Sequence, residues 1–228
     1  MRRLVRAGSV AALLLAGAPF RAHARPTHGE IEPLAADVEL DGHELFPLEV
    51  GRTWTYRAGG TNRVYRHVIE PAAGAIAKAG RKVSHGVELA VYEVAKDGTA
   101  KEIEREALDS TDQGALLVAT SKASAPGVTA LDPPSLEMPW KVTASAWPSG
   151  SPYKPAGLAD VDTAAGSWQR CLVVDGVAGA GASAGSRLPL RRFFCANAGL
   201  VLVLASDVEG RWHTALELEQ VGRAPASP

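Results

Sequence analysis

The sequence predicts an all-β, mainly antiparallel fold: a single strongly curved sheet or partly open barrel that follows a cleaved N-terminal signal helix. Short segments alternate apolar with polar residues and are enriched in β-branched and aromatic types, a pattern typical of strands. The 23 glycines and 15 prolines separate these segments, which indicates many turns and few long helices. Hydrophobic residues make up 46% of the chain, enough for a sizeable core.

Residues 1–24 predict a secretory signal peptide. A basic start, an apolar run at 10–18 that is too short to span a bilayer, and the small-residue cleavage site Ala22-His23-Ala24 follow one another. Cleavage would remove four of the 24 Lys and Arg residues and none of the 25 Asp and Glu residues, so the formal net charge would change from −1 to −5. We therefore expect a soluble periplasmic or secreted protein with no transmembrane segment after cleavage. The arginine pair leaves both general secretory and twin-arginine export open.

The mature chain divides into three parts by composition. Residues 25–44 mix Pro, Gly, His and acids without periodicity, as in a flexible N-terminus. Residues 45–221 form the predicted β-rich domain, and residues 222–228 are expected to be a disordered tail. We do not expect nucleic acid as a partner, because phosphate binding needs clustered Lys and Arg side chains and the mature chain would have a net charge of −5.

In the first half of the domain, alternation predicts strands around Trp54 and Tyr56 and over Val64–Val68. Asp97-Gly98 lies between the strand-like segments Val87–Lys96 and Thr99–Ala107, so it predicts a two-residue hairpin turn. The charged segment Lys101–Leu108 also fits a helix. Its position after the turn favours a charged strand, which we place at a sheet edge.

The second half contains further strand-like segments and turns. Ser124–Pro134 carries three prolines and is expected to be a connection. A turn is expected at Glu209-Gly210, before the last strand. The strands predicted here are Gly114–Lys122, Gly166–Val177, Leu190–Ala196, Leu200–Val208 and Arg211–Val221.

The segment from Phe46 to Tyr56 reads F-P-L-E-V-G-R-T-W-T-Y and resembles the domain start F-P-L-x-x-G-x-x-W-x-Y of a group of uncharacterised bacterial secreted proteins and lipoproteins. Two later segments are similar to the same group: Asp162–Leu172, which resembles its cysteine-bearing strand entry, and Ala196–Val201, which resembles its G-x-G-L-V-like turn and strand. The resemblance covers about residues 45–221. It implies an antiparallel β-rich domain, and it implies no catalytic residues.

Cys171 and Cys195 are the two cysteines of a chain expected to be exported, and each lies in a predicted strand. We interpret them as a disulfide, which requires their strand faces to meet with Cα atoms within about 7 Å. Closing a loop of about 25 residues would stabilise the fold by ~3 kcal/mol on the chain-entropy model. The alternative is a pair of buried thiols.

Other candidate chemistry is weak. Ser183 lies in a G-x-S-x-G match, but an Ala/Gly/Ser-rich run surrounds it and no helix pattern follows, so a serine hydrolase is a remote hypothesis. The histidines are too far apart in sequence to predict a metal site. Asp160 and Asp162 are a weak carboxylate pair. We expect no catalytic residues, no metal and no cofactor.

Aromatic residues are the remaining candidates for ligand binding. Most of them are expected to be core anchors, although some could line an apolar cavity together with Phe193 and Phe194. The leading functional hypothesis is a non-enzymatic envelope module that engages a partner protein or a surface polymer, and the alternative is a carrier of a lipid or other apolar small molecule in the concave face of the sheet. The ligand candidates are Trp54, Tyr56, Trp140, Trp147 and Trp168.

Overall fold

A computed structural model describes residues 26–72, 86–177 and 189–224. The elements are β1 Thr27–His28, β2 Leu40–Asp41, α1 Gly42–Leu45, β3 Arg52–Ala58, β4 Val64–Pro71, β5 Gly86–Val94, β6 Ala100–Ser110, β7 Gly114–Lys122, β8 Ala125–Pro139, β9 Lys141–Val142, β10 Lys154–Thr163, β11 Gly166–Val177, β12 Pro189–Cys195, β13 Gly199–Ser206 and β14 Trp212–Arg223. The predicted signal peptide and Ser183 lie outside the described residues.

Twelve strands form one sheet in the order β1-β10-β11-β12-β13-β14-β3-β4-β5-β6-β7-β8, and β2 pairs with β9 in a separate ladder. All of these pairings are antiparallel. The sheet is strongly curved. Arg192 of β12 and Glu137 of β8 form an ion pair at 3.4 Å, although seven strands lie between β12 and β8 in the sheet order. The predicted all-β fold with a curved sheet is confirmed.

Two of the three buried apolar clusters among the described residues join strands that are distant in the sheet order and stabilise this curvature. One includes the inner residues of β10–β13, where Val173 and Phe193 are fully buried. The other joins β7 and β8 to β11 and β12, with Met138 and Leu172 fully buried and Leu45 of α1 covering them. Apolar side chains from strands distant in the sheet order therefore meet, and their burial favours the bent sheet over a flat one.

The hairpin predicted at Asp97-Gly98 joins β5 to β6 with a longer loop than expected. The Ala95 amide donates to the Thr99 carbonyl at 2.8 Å, so three residues form the loop instead of two. Gly98 has φ +84°, a conformation that glycine adopts without steric cost. The Asp97 carboxylate accepts from the Thr99 amide at 2.9 Å and fixes the turn.

Two predictions about strands are wrong. The segment Lys101–Leu108 is a strand and not a helix, but β6 pairs with both β5 and β7 and is therefore interior instead of an edge. The segment Ser124–Pro134 is largely part of β8, which forms the sheet edge. An edge strand needs only one side of its backbone for pairing, so it tolerates proline.

The ladder also extends beyond the predicted domain at both ends. Thr27 pairs with Asp162, and the short strand β2 and helix α1 precede the expected start at Leu45. At the other end β14 continues through Arg223, which pairs with Arg52 of β3. The ordered β ladder therefore includes part of the segments predicted as a flexible N-terminus and as a tail.

Candidate ligand-binding cavity

A cavity of about 270 Å³ lies against the concave face of β3–β7, opposite residues of β12 and β13. Registered residues point to the same face of a sheet, and Ile69, Leu89, Glu106 and Thr120 are registered in turn across β4, β5, β6 and β7. The lining residues are Phe46, Pro47, Leu48, Trp54, Tyr56, His67, Ile69, Leu89, Glu104, Glu106, Leu117, Thr120, Lys122, Glu137, Tyr153, Val177, Leu190, Arg192, Phe194, Gly199 and Leu200.

The apolar wall of the cavity comes largely from the F-P-L-E-V-G-R-T-W-T-Y segment. Phe46, Pro47, Leu48, Trp54 and Tyr56 all line the cavity. The two polar atoms of its large side chains are bonded away from the cavity's apolar surface: Trp54 Nε1 donates to the Ala198 carbonyl at 2.6 Å, and the Tyr56 hydroxyl donates to the Leu200 carbonyl at 2.8 Å. These bonds attach β3 to the β12–β13 turn. Both rings are nearly fully buried, and the Tyr56 ring packs on the His67 ring with centroids 4.7 Å apart, so only part of each ring contributes to the cavity wall.

Gly199 allows the close approach between that turn and β3. It has φ +81°, and a Cβ atom built on it would lie 3.2 Å from Trp54 Nε1. A larger residue would therefore be strained and would push on the indole ring. The glycine is required here both for its backbone conformation and for space.

The opposite end of the cavity is charged. Glu104 pairs with Lys122 at 3.5 Å between carboxylate and ammonium, and Glu137 pairs with Arg192 at 3.4 Å. Glu106 is half-buried between these two pairs, and no residue among those described forms a hydrogen bond or an ion pair with its carboxyl group. Three acids thus face two bases, and the remaining acid is Glu106.

The electrostatic environment disfavours charge on Glu106. Burial raises its pKa to about 8, the Glu137 and Glu104 carboxylates add to that rise, and Arg192 and Lys122 oppose it. Burial also raises the pKa of Glu137, and Arg192 opposes that rise. At neutral pH Glu106 therefore carries its proton for most of the time.

Two buried polar atoms in this charged end lack partners. Glu137 Oε1 and Arg192 Nη2 are shielded from solvent and make no hydrogen bond to the described residues. The Arg192 guanidinium is otherwise placed by the Tyr153 ring, whose centroid lies 3.9 Å from its central carbon. A buried polar atom without a partner costs free energy, so a ligand that supplied a donor to Glu137 would recover it.

The structure brings together only some of the aromatic candidates. Trp54, Tyr56 and Phe194 line the cavity. Trp140 and Trp147 belong to the core around Met138, and the Trp140 ring stacks on His43 with centroids 3.9 Å apart. Phe193 lies on the opposite face from Phe194, 5.1 Å from the His28 ring, and Trp168 packs against the same core as Phe193.

Among the residues that the structure describes, the histidines and the aspartate pair do not form a common site. His67 lines the cavity, where burial lowers its pKa to about 4, so it is neutral at pH 7. His213 pairs with Asp207 at 2.9 Å on the surface. Asp160 accepts from the Arg170 amide and Asp162 from the Thr27 hydroxyl, so each carboxylate has its own partner.

Cys171 and Cys195 are bonded to each other, with Cα atoms 4.3 Å apart. Leu172 is registered with Phe194, so the two cysteines lie directly opposite on adjacent strands. In the part of the chain that the structure describes, no group of three or more His, Cys, Asp or Glu side chains could hold a metal ion. Over the same residues no helix has the length and hydrophobicity needed to cross a membrane.

Sequence reasoning missed the charged end of the cavity. Glu104 and Glu106 are two residues apart on β6 and so lie on one face, but the sequence predicts this charged strand at a sheet edge. Glu137 lies two strands away on β8, and Arg192 of β12 reaches the site only because the sheet bends.

No protein-family model matches the chain, and no curated protein matches it. Two solved structures are similar to it. One is a candidate lipoprotein from Parabacteroides distasonis, with 12% sequence identity and a TM-score of 0.42 over 78% of this chain and 98% of that chain. The other is a candidate exported protein with a YmcC-like fold from Bacteroides fragilis, with 12% identity and a TM-score of 0.45 over 78% of this chain and 99% of that chain. Neither similarity at these values assigns a function.

Proposed function

We propose that this is an exported, non-enzymatic binding protein that holds a small amphiphilic molecule in the cavity of its curved sheet. The observation that carries the proposal is the cavity itself: about 270 Å³, with an aromatic and aliphatic wall at one end and ionisable groups at the other. Ligand sites are typically concave and mostly apolar, with a few polar groups that orient the ligand. The predicted signal peptide and the disulfide both agree with an oxidising compartment outside the cytoplasm.

The cavity size limits the ligand. Its volume is slightly below the range of about 300–1,000 Å³ that is usual for drug-sized ligands, so a short chain or a single ring system suits it better than a whole lipid. The apolar body would contact Trp54, Leu89 and Phe194, and the head group would lie near Glu106. Engagement of a partner protein or surface polymer, the leading expectation from the sequence, remains a prediction.

A cavity-filling variant tests this proposal. Leu89 is a half-buried leucine of the cavity wall, and Leu216 is a half-buried leucine of β14 that does not line the cavity. We expect Leu89→Phe to lower the affinity for octanol at least about tenfold, because the added ring occupies the ligand volume, and Leu216→Phe to change it less than about twofold. Isothermal titration calorimetry on the disulfide-bonded mature protein measures both. Equal affinities for the two variants, or a folded parent that binds neither octanol nor another eight-carbon amphiphile, would contradict the proposal.

A further inference from the structure

The charged end of the cavity contains an imbalance that its own ion pairs do not remove. Glu104 with Lys122 and Glu137 with Arg192 each form a pair of opposite charges, and Glu106 stands between them. At neutral pH Glu106 carries its proton, and the charges of the two ion pairs balance. Once Glu106 is ionised, the site has one negative charge more than it has positive charges, so it favours an added cation and disfavours an added anion.

The acceptor atoms without partners also favour a cationic ligand. The buried Oε1 of Glu137 is an acceptor without a donor, and the Glu106 carboxyl group lacks a partner among the described residues. An ammonium group carries three donors and could satisfy both oxygens at once. Arg192 also has one unpartnered nitrogen. Its positive charge already interacts with the Glu137 carboxylate and the Tyr153 ring, so it attracts an anionic ligand only weakly.

We infer that the cavity selects amphiphiles with a cationic head group, a primary amine on a short apolar body, and that Glu106 is the residue that determines this selectivity. The inference rests on the proposed function of the cavity. The amine would lie between the carboxylates of Glu106 and Glu137, and the alkyl part would extend toward Trp54 and Leu89. A charge-assisted hydrogen bond in a site of low dielectric constant is stronger than its neutral equivalent, so the head group would decide affinity among ligands with the same tail.

Binding of such a ligand would be linked to a proton. The pKa of Glu106 is about 8 in the empty cavity, so at neutral pH the ammonium must displace the proton that Glu106 carries. The charged and titratable groups that face Glu106 are Glu104 on its own strand, Lys122 on β7, Glu137 on β8, Arg192 on β12, and the neutral side chains of His67 and Tyr153. An alkylamine stays protonated up to about pH 10, like lysine, so the pH dependence below pH 8 would report on Glu106.

The test compares octylamine, octanol and octanoate, which share a tail and differ in the charge of the head. We expect octylamine to bind the parent protein at pH 8.5 at least about tenfold more tightly than octanol, and octanoate to bind most weakly. The octylamine affinity should rise about tenfold from pH 6 to pH 7 and become constant above about pH 9, because the ionised fraction of Glu106 changes in that way. Octanol affinity should be independent of pH over the same range.

Two glutamine variants locate the effect. Glu106→Gln keeps the shape and removes the charge, so it should lose both the preference for the amine and its pH dependence while it retains octanol binding. Glu102→Gln on the same strand is the matched control, because Glu102 bonds to Arg105 and does not line the cavity; it should behave like the parent.

The two proposals fail in different ways. If octanol and octanoate bind as tightly as octylamine, or if Glu106→Gln keeps the amine preference, the cationic selectivity is wrong and the amphiphile-binding function stands. If none of the three probes binds the folded parent, the proposed function itself is wrong.

Discussion

The two halves of the sheet differ in the kinds of side chain that they bury. In the half formed by β10–β14, which we call the disulfide half, Val173 and Phe193 are completely buried in an apolar core beside the Cys171–Cys195 bond. In the half formed by β3–β8, the cavity half, the concave face carries ionisable side chains at Glu104 and Glu106. Apolar packing stabilises the first half, whereas burying the ionisable side chains at one end of the cavity costs the second half free energy.

On the outer face of the cavity half, the buried acidic side chains are paired with a base. Glu88 of β5 is almost fully buried, and its carboxylate accepts from Arg105 at 2.8 Å. The same guanidinium reaches Glu70 at 2.7 Å and Glu102 at 2.5 Å. On this face every named acid is bonded to one cation, whereas on the inner face Glu106 has no such partner among the described residues. The excess of acidic over basic groups in the cavity is therefore specific to the inner face and is not a property of the whole cavity half.

The largest expected effect contrasts two phenylalanines. Phe193→Ala should destabilise the protein by about 3–5 kcal/mol, because the site is completely buried and its neighbours cannot fill the space. Phe46→Ala, a matched truncation at the half-buried cavity wall, should cost only about 1–2 kcal/mol, because the ring already borders an open volume. Urea unfolding measures both free energies. Equal losses would remove the contrast between the two halves.

The disulfide should give the next largest effect. Replacing both Cys171 and Cys195 by alanine should lower the free energy of unfolding by about 3 kcal/mol, since the bond closes a loop with a sequence separation of 24. Octanol affinity at a temperature where the variant is folded should stay within about twofold of the parent, because neither cysteine lines the cavity. Thermal unfolding with and without reductant, together with calorimetric titration, checks both statements. A large loss of affinity in the folded variant would show that the halves are coupled.

The strands of both halves could be predicted where a run of β-forming residues follows turn residues. The bounds of β7 and β11 agree with the predicted segments Gly114–Lys122 and Gly166–Val177. In β11 both faces are buried, Cys171 and Val173 in one core and Leu172 and Val174 in the other. The prolines of β8 predict a connection over Ser124–Pro134 in place of a strand. Its residues between Ala130 and Ser135 bulge away from β7, so the proline positions need no ladder bonds.

The site could be predicted only in part, for a physical reason. Trp54 and Tyr56 were candidates because large aromatic residues on a strand anchor something apolar, whether a core or a ligand. The charged end forms because the sheet bends and brings Arg192 of β12 next to Glu137 of β8. No local sequence pattern predicts this contact between distant strands. Glu106 alone looks like an ordinary surface acid, and its raised pKa exists only in the folded state.

The smallest effect is the sharpest probe of the cavity half, because it depends on one proton. The pKa of Glu106 is about 8 in the folded protein and near its ordinary value of about 4.5 when unfolded, so the folded state holds a proton that the unfolded state has released between these values. With respect to Glu106, the free energy of unfolding is therefore highest below pH 4.5. It falls as the pH rises from 4.5 through 8, because the folded state keeps a proton that the unfolded state releases.

Glu106→Gln stays neutral at every pH. Its free energy of unfolding should equal that of the parent near pH 4.5 and exceed it by about 1–3 kcal/mol at pH 9, a range reduced from the full shift because the cavity admits solvent. His67, whose pKa is lowered to about 4, destabilises both proteins as the pH falls below 6.5 and cancels in the difference. Urea unfolding at pH 4.5, 7 and 9 measures the difference, with Glu102→Gln as the control expected to show no such rise. A difference that stays constant with pH would mean that Glu106 is ionised in the folded protein, and the cavity half would then carry its charges as an ordinary exposed surface does.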